Sequence, residues 1–476
     1  MIKRFLFLTC FFLHFYNFCF SQSENSFIEG YWYGLLEFQN SALIITFDIK
    51  TNEQDSLIGE VNSPLQGAYH IPVTKIKLLN DSVELQIKSL SANVKGKYIE
   101  KDSIIDGIFH QAIFNIPFKL KKTPELFVFK RPQEPKPPFN YLHEEVFFEN
   151  AKSGITLAGT LTYPKGEGVF PAVILISGSG AQDRNEEILA HKPFLIISDY
   201  LTNKGIAVLR YDDRGVGMSK GDFETATTMD FAYDAESAVD FLKNHSKIDK
   251  QNIGLIGHSE GGMIAPIVAA RDKTISFIIL LAAPGTSGEQ VLLSQIKKML
   301  EIDGADKELI NTILKDSKNA YKLLKKYPQK QKAVDALRKY FEKRAKKTPE
   351  QEHVIKGYNK QAVELKIMAM NTPWFRFFIS FNPEDYLRNV DCPILALYGR
   401  KDVQVLAEEN SAVLQKISEK YRKSKLDIKI YDGKNHLFQN ADKGSILEYA
   451  LIEETISEDV LYDMWIWVEK TIRNKE

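Results

Sequence analysis

The spacing of hydrophobic positions changes twice along this chain. From about Phe27 to Leu120 apolar and polar residues alternate. Val83, Leu85 and Ile87 are separated by Glu84 and Gln86, the period of two expected of a half-buried strand. Trp32–Phe38 and Ala42–Phe47 are further strand candidates, parted by Gln39-Asn40-Ser41, while Asn80-Asp81 and Lys101-Asp102 are turn signals. No helical stretch of useful length interrupts them, so 22–122 is expected to form a small antiparallel β domain, a barrel or a sandwich. Its reading is a scaffold or docking domain, with a ligand-binding module or a lid as the alternatives. The run from Arg131 to Pro138 contains four prolines and ends the pattern, and 123–143 reads as a Pro-rich, extended linker.

A different pattern begins at 144. Glu145–Phe148 and Leu157–Leu161 read as a hairpin. Ala172–Ile176, Ala207–Tyr211, Asn252–Ile256 and Phe277–Leu281 are short, nearly continuous apolar runs, as in a parallel sheet covered on both faces. Helix candidates at Phe194–Leu201, Met229–Leu242 and Gly262–Ala270 fall between them, which predicts a doubly wound α/β domain. The alternation stops near Thr286 and resumes at Ile394–Tyr398, followed by a helix at Ala407–Tyr421, a strand at Leu426–Tyr431 and a helix at Glu458–Ile472. The intervening 286–390 is helical in pattern and Lys-rich, as for a cap inserted over a site; the lysines read as a solvated face. The aromatic cluster Asn371–Phe378 would either line an acyl pocket or form the core of the cap. Trp465 and Trp467 read as packing residues.

Length and charge narrow the picture. At 476 residues the chain has room for two or three domains. Lys+Arg and Asp+Glu are both 62, so no global field points to nucleic acid or an anionic membrane. Lys3 and Arg4 precede an apolar run, Phe5–Phe20, and Cys19 and Ser21 lie at −3 and −1 of a cut before Gln22. Residues 1–21 are therefore expected to be a cleaved signal peptide, an uncleaved anchor being the alternative. Only Cys392 remains after that cut, so no internal disulfide is expected. Export without disulfides fits a periplasmic or secreted bacterial protein.

The chemistry centres on Gly257-His258-Ser259-Glu260-Gly261, a G-x-S-x-G between a predicted strand and a predicted helix. That context makes a nucleophile elbow, a strained turn that holds the serine hydroxyl clear of the sheet. A serine hydroxyl needs a neighbouring base. His436 follows the last strand in a Gly-containing loop that would bring it to the rim of the sheet, whereas His258 is expected to point elsewhere and His70 and His110 lie in the β domain. Asp402 follows Ile394–Tyr398 through Gly399-Arg400-Lys401, where it would orient the base; Glu408 and Glu409 are alternatives that better suit a helix start. Two oxyanion donors are expected, the backbone N–H of Glu260 and that of Ser179 in the loop Ser177–Arg184. Tyr211–Ser219 reads as a structural turn with an internal ion pair. No H-E-x-x-H and no Cys/His cluster suggests a metal, and no cofactor is required.

Gly178–Arg184, Asp212–Gly217, Gly257–Gly262, Gly399–Val405 and Asn435–Gln439, in this order, resemble the α/β-hydrolase superfamily, most closely its bacterial esterase and serine aminopeptidase-like (S33-type) branch. The order Ser259, Asp402, His436 is also that of its triad. The resemblance spans about Glu144 to Ile472. It implies an α/β-hydrolase domain over 144–476 with a helical cap at about 286–390. It also implies hydrolysis of a carboxylic ester through an acyl-enzyme. Ser177-Gly178 stands where many relatives have His-Gly, and the N-terminal β domain lies outside the resemblance. The expected protein is an exported serine hydrolase acting on a small-molecule ester, with no nucleic-acid partner, no membrane span after signal cleavage, and an open question over what the β domain touches. Two alternatives stand beside it. A serine aminopeptidase would need an acidic group for the substrate amine, supplied by Glu260 or by the cap. A binding protein would act through the β domain, with the hydrolase half inactive. A dehalogenase is disfavoured because the elbow carries Ser rather than Asp.

Overall fold

The structure, a computed structural model, describes residues 27–38, 41–66, 68–111 and 114–473. The expected signal peptide, 1–21, lies outside the described residues. The chain divides into two compact units between Val128 and Phe129.

The first unit holds nine strands: β1 (Gly30–Phe38), β2 (Ser41–Thr51), β3 (Leu57–Ser63), β4 (Ala68–Val73), β5 (Lys75–Leu79), β6 (Ser82–Ile87), β7 (Ala92–Ile99), β8 (Ile104–Gln111) and β9 (Phe114–Thr123). They form one antiparallel sheet in the order β4-β3-β2-β1-β9-β8-β7-β6-β5. The two outermost strands, β4 and β5, are consecutive in the chain and separated only by Thr74. A sheet whose two edges are joined by one residue must curl until those edges approach, so the barrel-like form of the expected β domain is the one adopted. The Thr74 N–H donates to the Gln86 carbonyl at 2.7 Å and closes this corner. Val83, Leu85 and Ile87 face inward and are buried, as the period-two pattern requires, together with Trp32, Phe47 and Phe118.

The second unit is built on eight strands: β10 (Tyr141–Asn150), β11 (Ile155–Pro164), β12 (Phe170–Ile176), β13 (Ala207–Tyr211), β14 (Ile248–His258), β15 (Phe277–Leu281), β16 (Ile394–Gly399) and β17 (Leu426–Tyr431). Their order is β10-β11-β13-β12-β14-β15-β16-β17. β10 and β11 form the predicted hairpin and β11 meets β13 antiparallel; every later neighbour is parallel. Helices α1 (Pro193–Asn203), α2 (Thr228–Lys243) and α3 (Gly261–Arg271) connect strands β12 to β15. α11 (Ala407–Tyr421) joins β16 to β17, and α12 (Ile446–Tyr449) and α13 (Glu458–Arg473) follow. One apolar cluster lies on each face of the sheet. Ile174, Leu255 and Ile278 point to α2 and α3, while Val173, Ile256 and Ile279 point to α1 and α13. Trp467 packs edge-on against Phe277, at 6.0 Å between centroids, within the second of these layers.

Between β15 and β16 lie α4 (Gly288–Ile302), α5 (Lys307–Lys326), α6 (Lys330–Ala345), α7 (His353–Lys356), α8 (Lys360–Met370), α9 (Pro373–Phe378) and α10 (Glu384–Leu387). The first part of the helical pattern over 286–390 resolves into α4, α5 and α6 because Gly304 turns at φ +76° and Pro328 follows α5. Ser287, Asp306, Asn359 and Thr372 each accept a backbone N–H as N-caps, which sets where α4, α5, α8 and α9 begin. The cap has a core of its own, including Tyr321, Leu324, Leu337, Phe341 and Ile367.

The stretch read as a linker, 123–143, is not free along its length. From Phe129 it belongs to the second unit, and the Arg131 guanidinium donates to the carbonyls of Leu189, Ala190, Ala450 and Ile452. Proline suits this role, because an extended segment without N–H donors can lie on a surface at little entropic cost.

Where β14 passes into α3 the backbones nearly touch. A Cβ on Gly257 would lie 2.1 Å from the Gly261 oxygen, one on Gly261 2.0 Å from the Ile176 oxygen, and one on Gly262 2.3 Å from the Ala283 Cβ. Gly261→Ala is therefore expected to destabilise the second unit by about 3 kcal/mol. The measurement is the urea midpoint compared with that of the parent chain.

Candidate active site

Ser259 is the residue that turns β14 into α3. It takes the left-handed conformation, φ +52°, which costs a non-glycine residue roughly 1 kcal/mol and is kept where the surrounding contacts insist on it. Its N–H donates to the Leu281 carbonyl at 2.8 Å, and its own carbonyl accepts from the Gly262 N–H at 3.0 Å. The side chain therefore stands off the carboxyl ends of β14 and β15 at the start of α3, beside the positive end of that helix.

Asp402 and His436 come together as their positions in the sequence predict. His436 Nδ1 lies 2.7 Å from Asp402 Oδ2, and both residues are buried. The other carboxylate oxygen accepts from the N–H groups of Gln404 and Val405, at 2.7 and 2.9 Å. With every nearby donor aimed at it, Asp402 serves as an acceptor and fixes the proton on Nδ1, leaving Nε2 with the lone pair. The His436 loop is held by Asn435, whose side-chain oxygen accepts from the N–H groups of Leu437 and Gln439 at 3.0 Å each. Gly399, at the end of β16, lets this loop pass close by: a Cβ there would meet the Lys434 oxygen at 2.3 Å. The imidazole rings of His436 and His258, the latter adjacent to Ser259, are 4.8 Å apart.

The loop after β12 closes the third side. A Cβ on Gly178 would be 3.3 Å from the Ser259 Cβ. Three of the loop's N–H groups are already engaged: Gly178 donates to Glu186 at 2.7 Å, Gln182 to Asp213 at 3.0 Å and Arg184 to Asp212 at 2.9 Å. The N–H groups of Ser179 and Glu260 have no acceptor among the described residues. An oxyanion requires two such donors, here one in the residue after Ser259 and one in the loop that approaches it at Gly178.

The turn after β13 corrects one expectation. Its ion pairs are not internal. Asp212 pairs with Arg184 of the loop after β12, at 2.8 Å, and Arg214 pairs with Asp234 of α2, at 2.7 Å. Asp213, between them, accepts from the Ser177 hydroxyl at 2.7 Å and from the Gln182 N–H, so it ties down both ends of the loop that carries Ser179. Nothing in the sequence distinguished Asp213 from Asp212, since their different partners are set by the pleat at the end of β13. Burial raises the Asp213 carboxyl to about 8, against the pull of those two bonds.

The remaining acidic candidates fall elsewhere. Glu408 pairs with Arg400, and Glu409 accepts from Ser294 and Gln290 of α4. The Glu260 side chain is 2% exposed and accepts from the Thr228 hydroxyl at 2.6 Å and from the Trp374 indole N–H at 2.8 and 2.9 Å. Trp374 belongs to α9, so the aromatic cluster has two roles: Trp374 reaches the floor beside the nucleophile, while Phe375 packs on Tyr321 inside the cap. Glu186 escapes a sequence reading altogether, and the expectation that His258 points elsewhere does not give its contacts: Nδ1 faces Glu186 and Nε2 the His436 carbonyl. Glu186 sits in a polar loop beside another glutamate, with nothing in the pattern to mark it as buried.

Burial raises the Glu260 carboxyl to about 7, the bonds from Thr228 and Trp374 opposing the shift. An unfolded glutamate ionises near about pH 4.3, so between about pH 4 and 7 the folded chain holds a proton that the unfolded chain releases. That contribution is present at acid pH and is lost as pH rises through this window. Stability of the parent chain is expected to fall between about pH 4 and 7 more steeply than that of Glu260→Gln, by up to about 3 kcal/mol. Urea midpoints measured across pH give the comparison.

The family model described as "Serine aminopeptidase, S33" matches residues 194–442, just over half of the chain. Esterase EstD of Thermotoga maritima is 28% identical over 312 residues, 65% of each chain. Putative hydrolase YtaP of Bacillus subtilis is 32% identical over 135 residues, 25% of this chain and 45% of YtaP. The chain thus spans less than two thirds of either relative's length. Among solved structures, the Pyrococcus furiosus esterase Pf2001 is similar at a TM-score of 0.41 and 17% identity, over 69% of this chain and 91% of that one. Est1E of Butyrivibrio proteoclasticus, with ferulic acid bound, is similar at a TM-score of 0.40 and 20% identity, over 69% and 99%. The assignment rests on the family match, the strand order and the elbow rather than on these distant structures: the chain belongs to the serine aminopeptidase (S33) family of α/β-hydrolases.

Proposed function

We propose that this protein is an exported serine hydrolase that cleaves carboxylic esters of small molecules through an acyl-enzyme. Ser259 attacks the acyl carbonyl while His436 takes its proton, and Asp402 stabilises the imidazolium that forms. The N–H groups of Ser179 and Glu260 receive the oxyanion. His436 then returns the proton to the leaving alcohol, and a water activated by the same histidine releases the acid. The observation that carries this reading is the 2.7 Å Asp402–His436 contact at the rim of a sheet whose elbow holds Ser259 at positive φ. The esterase among the relatives supports the ester as substrate. Export rests on the basic, apolar and small-residue pattern of 1–21.

The family description also names aminopeptidases. Such an enzyme needs a carboxylate free to meet the substrate amine. The Glu260 carboxylate is engaged by Thr228 and Trp374, which favours the ester over the peptide.

The test is hydrolysis of p-nitrophenyl esters of graded acyl length, with aminoacyl p-nitroanilides in parallel. The parent chain is expected to turn over esters and label with a fluorophosphonate, and Ser259→Ala to lose both, with kcat down by about 10⁴-fold or more. Turnover of anilides instead of esters would establish the peptidase. Silence on both substrates together with no labelling would overturn the catalytic reading.

A further inference from the structure

Three loops must keep their places around Ser259: the elbow, the loop carrying Ser179 and the loop carrying His436. One buried pair touches all three. Glu186 Oε1 accepts from the Gly178 N–H at 2.7 Å and lies 2.9 Å from His258 Nδ1. On the far side of the ring, His258 Nε2 lies 3.0 Å from the carbonyl oxygen of His436. Both ring nitrogens thus face acceptors. A neutral imidazole has one N–H and would set a lone pair against an oxygen at the other contact; only the imidazolium donates to both.

The site is constructed at a cost. Glu186 takes a left-handed φ of +52°, and Leu189 and Ala190 further along the same loop are also left-handed. Its second oxygen, Oε2, is buried with no hydrogen-bond partner, so its bonding is concentrated on the one oxygen that faces Gly178 and His258. Phe194, Ile197, Leu437 and Phe438 help enclose the pair in an apolar wall. Glu186 and His258 are 3% and 6% exposed, with their bonding directed to Gly178 and to the His436 carbonyl.

We propose that Glu186 and His258 are positioning residues: a fixed imidazolium whose two N–H groups hold the His436 loop directly and the Ser179 loop through Glu186, at their working separation from Ser259. This rests on the reading of Ser259, His436 and Asp402 as the reacting groups. The charged and titratable groups facing His258 are Glu186 from the loop before α1, His436 from the loop after β17 and Asp402 from the loop after β16. Burial pulls the imidazolium's pKa down, but Glu186, the His436 carbonyl and Asp402 together outweigh it, and the net shift is upward. Both contacts therefore persist at pH values where an ordinary histidine is neutral, and one is released as pH rises through the folded-state value.

The experiment uses the full chain with ¹⁵N-labelled histidine, the His258 signals being identified by their loss in His258→Asn. Both His258 nitrogens are expected to carry protons at a pH where an ordinary histidine carries one. Glu186→Gln keeps an oxygen for the Gly178 N–H but removes the charge, and is expected to return His258 to the singly protonated pattern. In the ester assay this variant is expected to lose about 10- to 100-fold in kcat with KM within about threefold, and its alkaline limit of activity should move to lower pH. A singly protonated His258 in the parent chain would overturn the proposal, as would a folded Glu186→Gln with unchanged kcat and pH profile. If Glu186→Gln does not fold, the nitrogen signals of the parent chain decide the question alone. If neither protein turns over esters, the catalytic reading fails separately, and those same signals still decide the state of His258.

Discussion

The strand-to-helix turn at Ser259 depends on contacts that leave no room for a Cβ. Gly257, Gly261 and Gly262 let α3 start directly against β12 and the end of β15. That closeness puts Ser259 into a left-handed turn and aims the helix N-terminus at the space above the sheet. Everything else in the candidate site is arranged around that point. The loops after β12, β16 and β17 all leave the same edge of the sheet, because parallel strands place their carboxyl ends together. Chemistry contributed by residues more than 250 positions apart in the chain converges there for a topological reason.

The site is held by buried polar contacts rather than by packing alone. Asp213 ties both ends of the loop after β12, Asp402 orients His436, and Glu186 links His258 to Gly178. Buried carboxylates are costly unless their oxygens find donors; Asp213 and Asp402 use both oxygens, while Glu186 directs its bonding to Oε1 alone. Glu260 adds a fourth such contact and brings the cap into it through Trp374. The cap has its own core and its own capped helices, and α4, α9 and α10 join it to the layer over the sheet through Val291, Phe378 and Leu387.

Much of the fold was legible because the sheet is covered on both faces. β13 and β15 match their apolar runs residue for residue, since every side chain in them is buried, and α11 and β17 also begin and end where the sequence places them. The less legible parts are those where long-range partners decide. β14 runs back to Ile248, although its first half is partly polar, because Ile248 is drawn into register with Phe170 of β12. The Pro-rich stretch reads as an extended linker, and from Phe129 it lies on the second unit, held by carbonyls of segments some 60 and 320 residues away that no local pattern could nominate.

The sequence by itself determined most of the elements and nominated the candidate site residues, because both are written locally: strand runs, the glycines of the elbow, and Asp402 and His436 just past strand ends. Tertiary structure alone decided the supporting network. Glu186, Asp213 and the orientation of His258 depend on which side chains a loop turns inward after the sheet has formed, and burial of a polar residue leaves no periodic signal in the chain. It also decided that the nine-stranded unit curls toward closure, because the adjacency of β4 and β5 becomes a constraint only once the pairing of all nine strands is known.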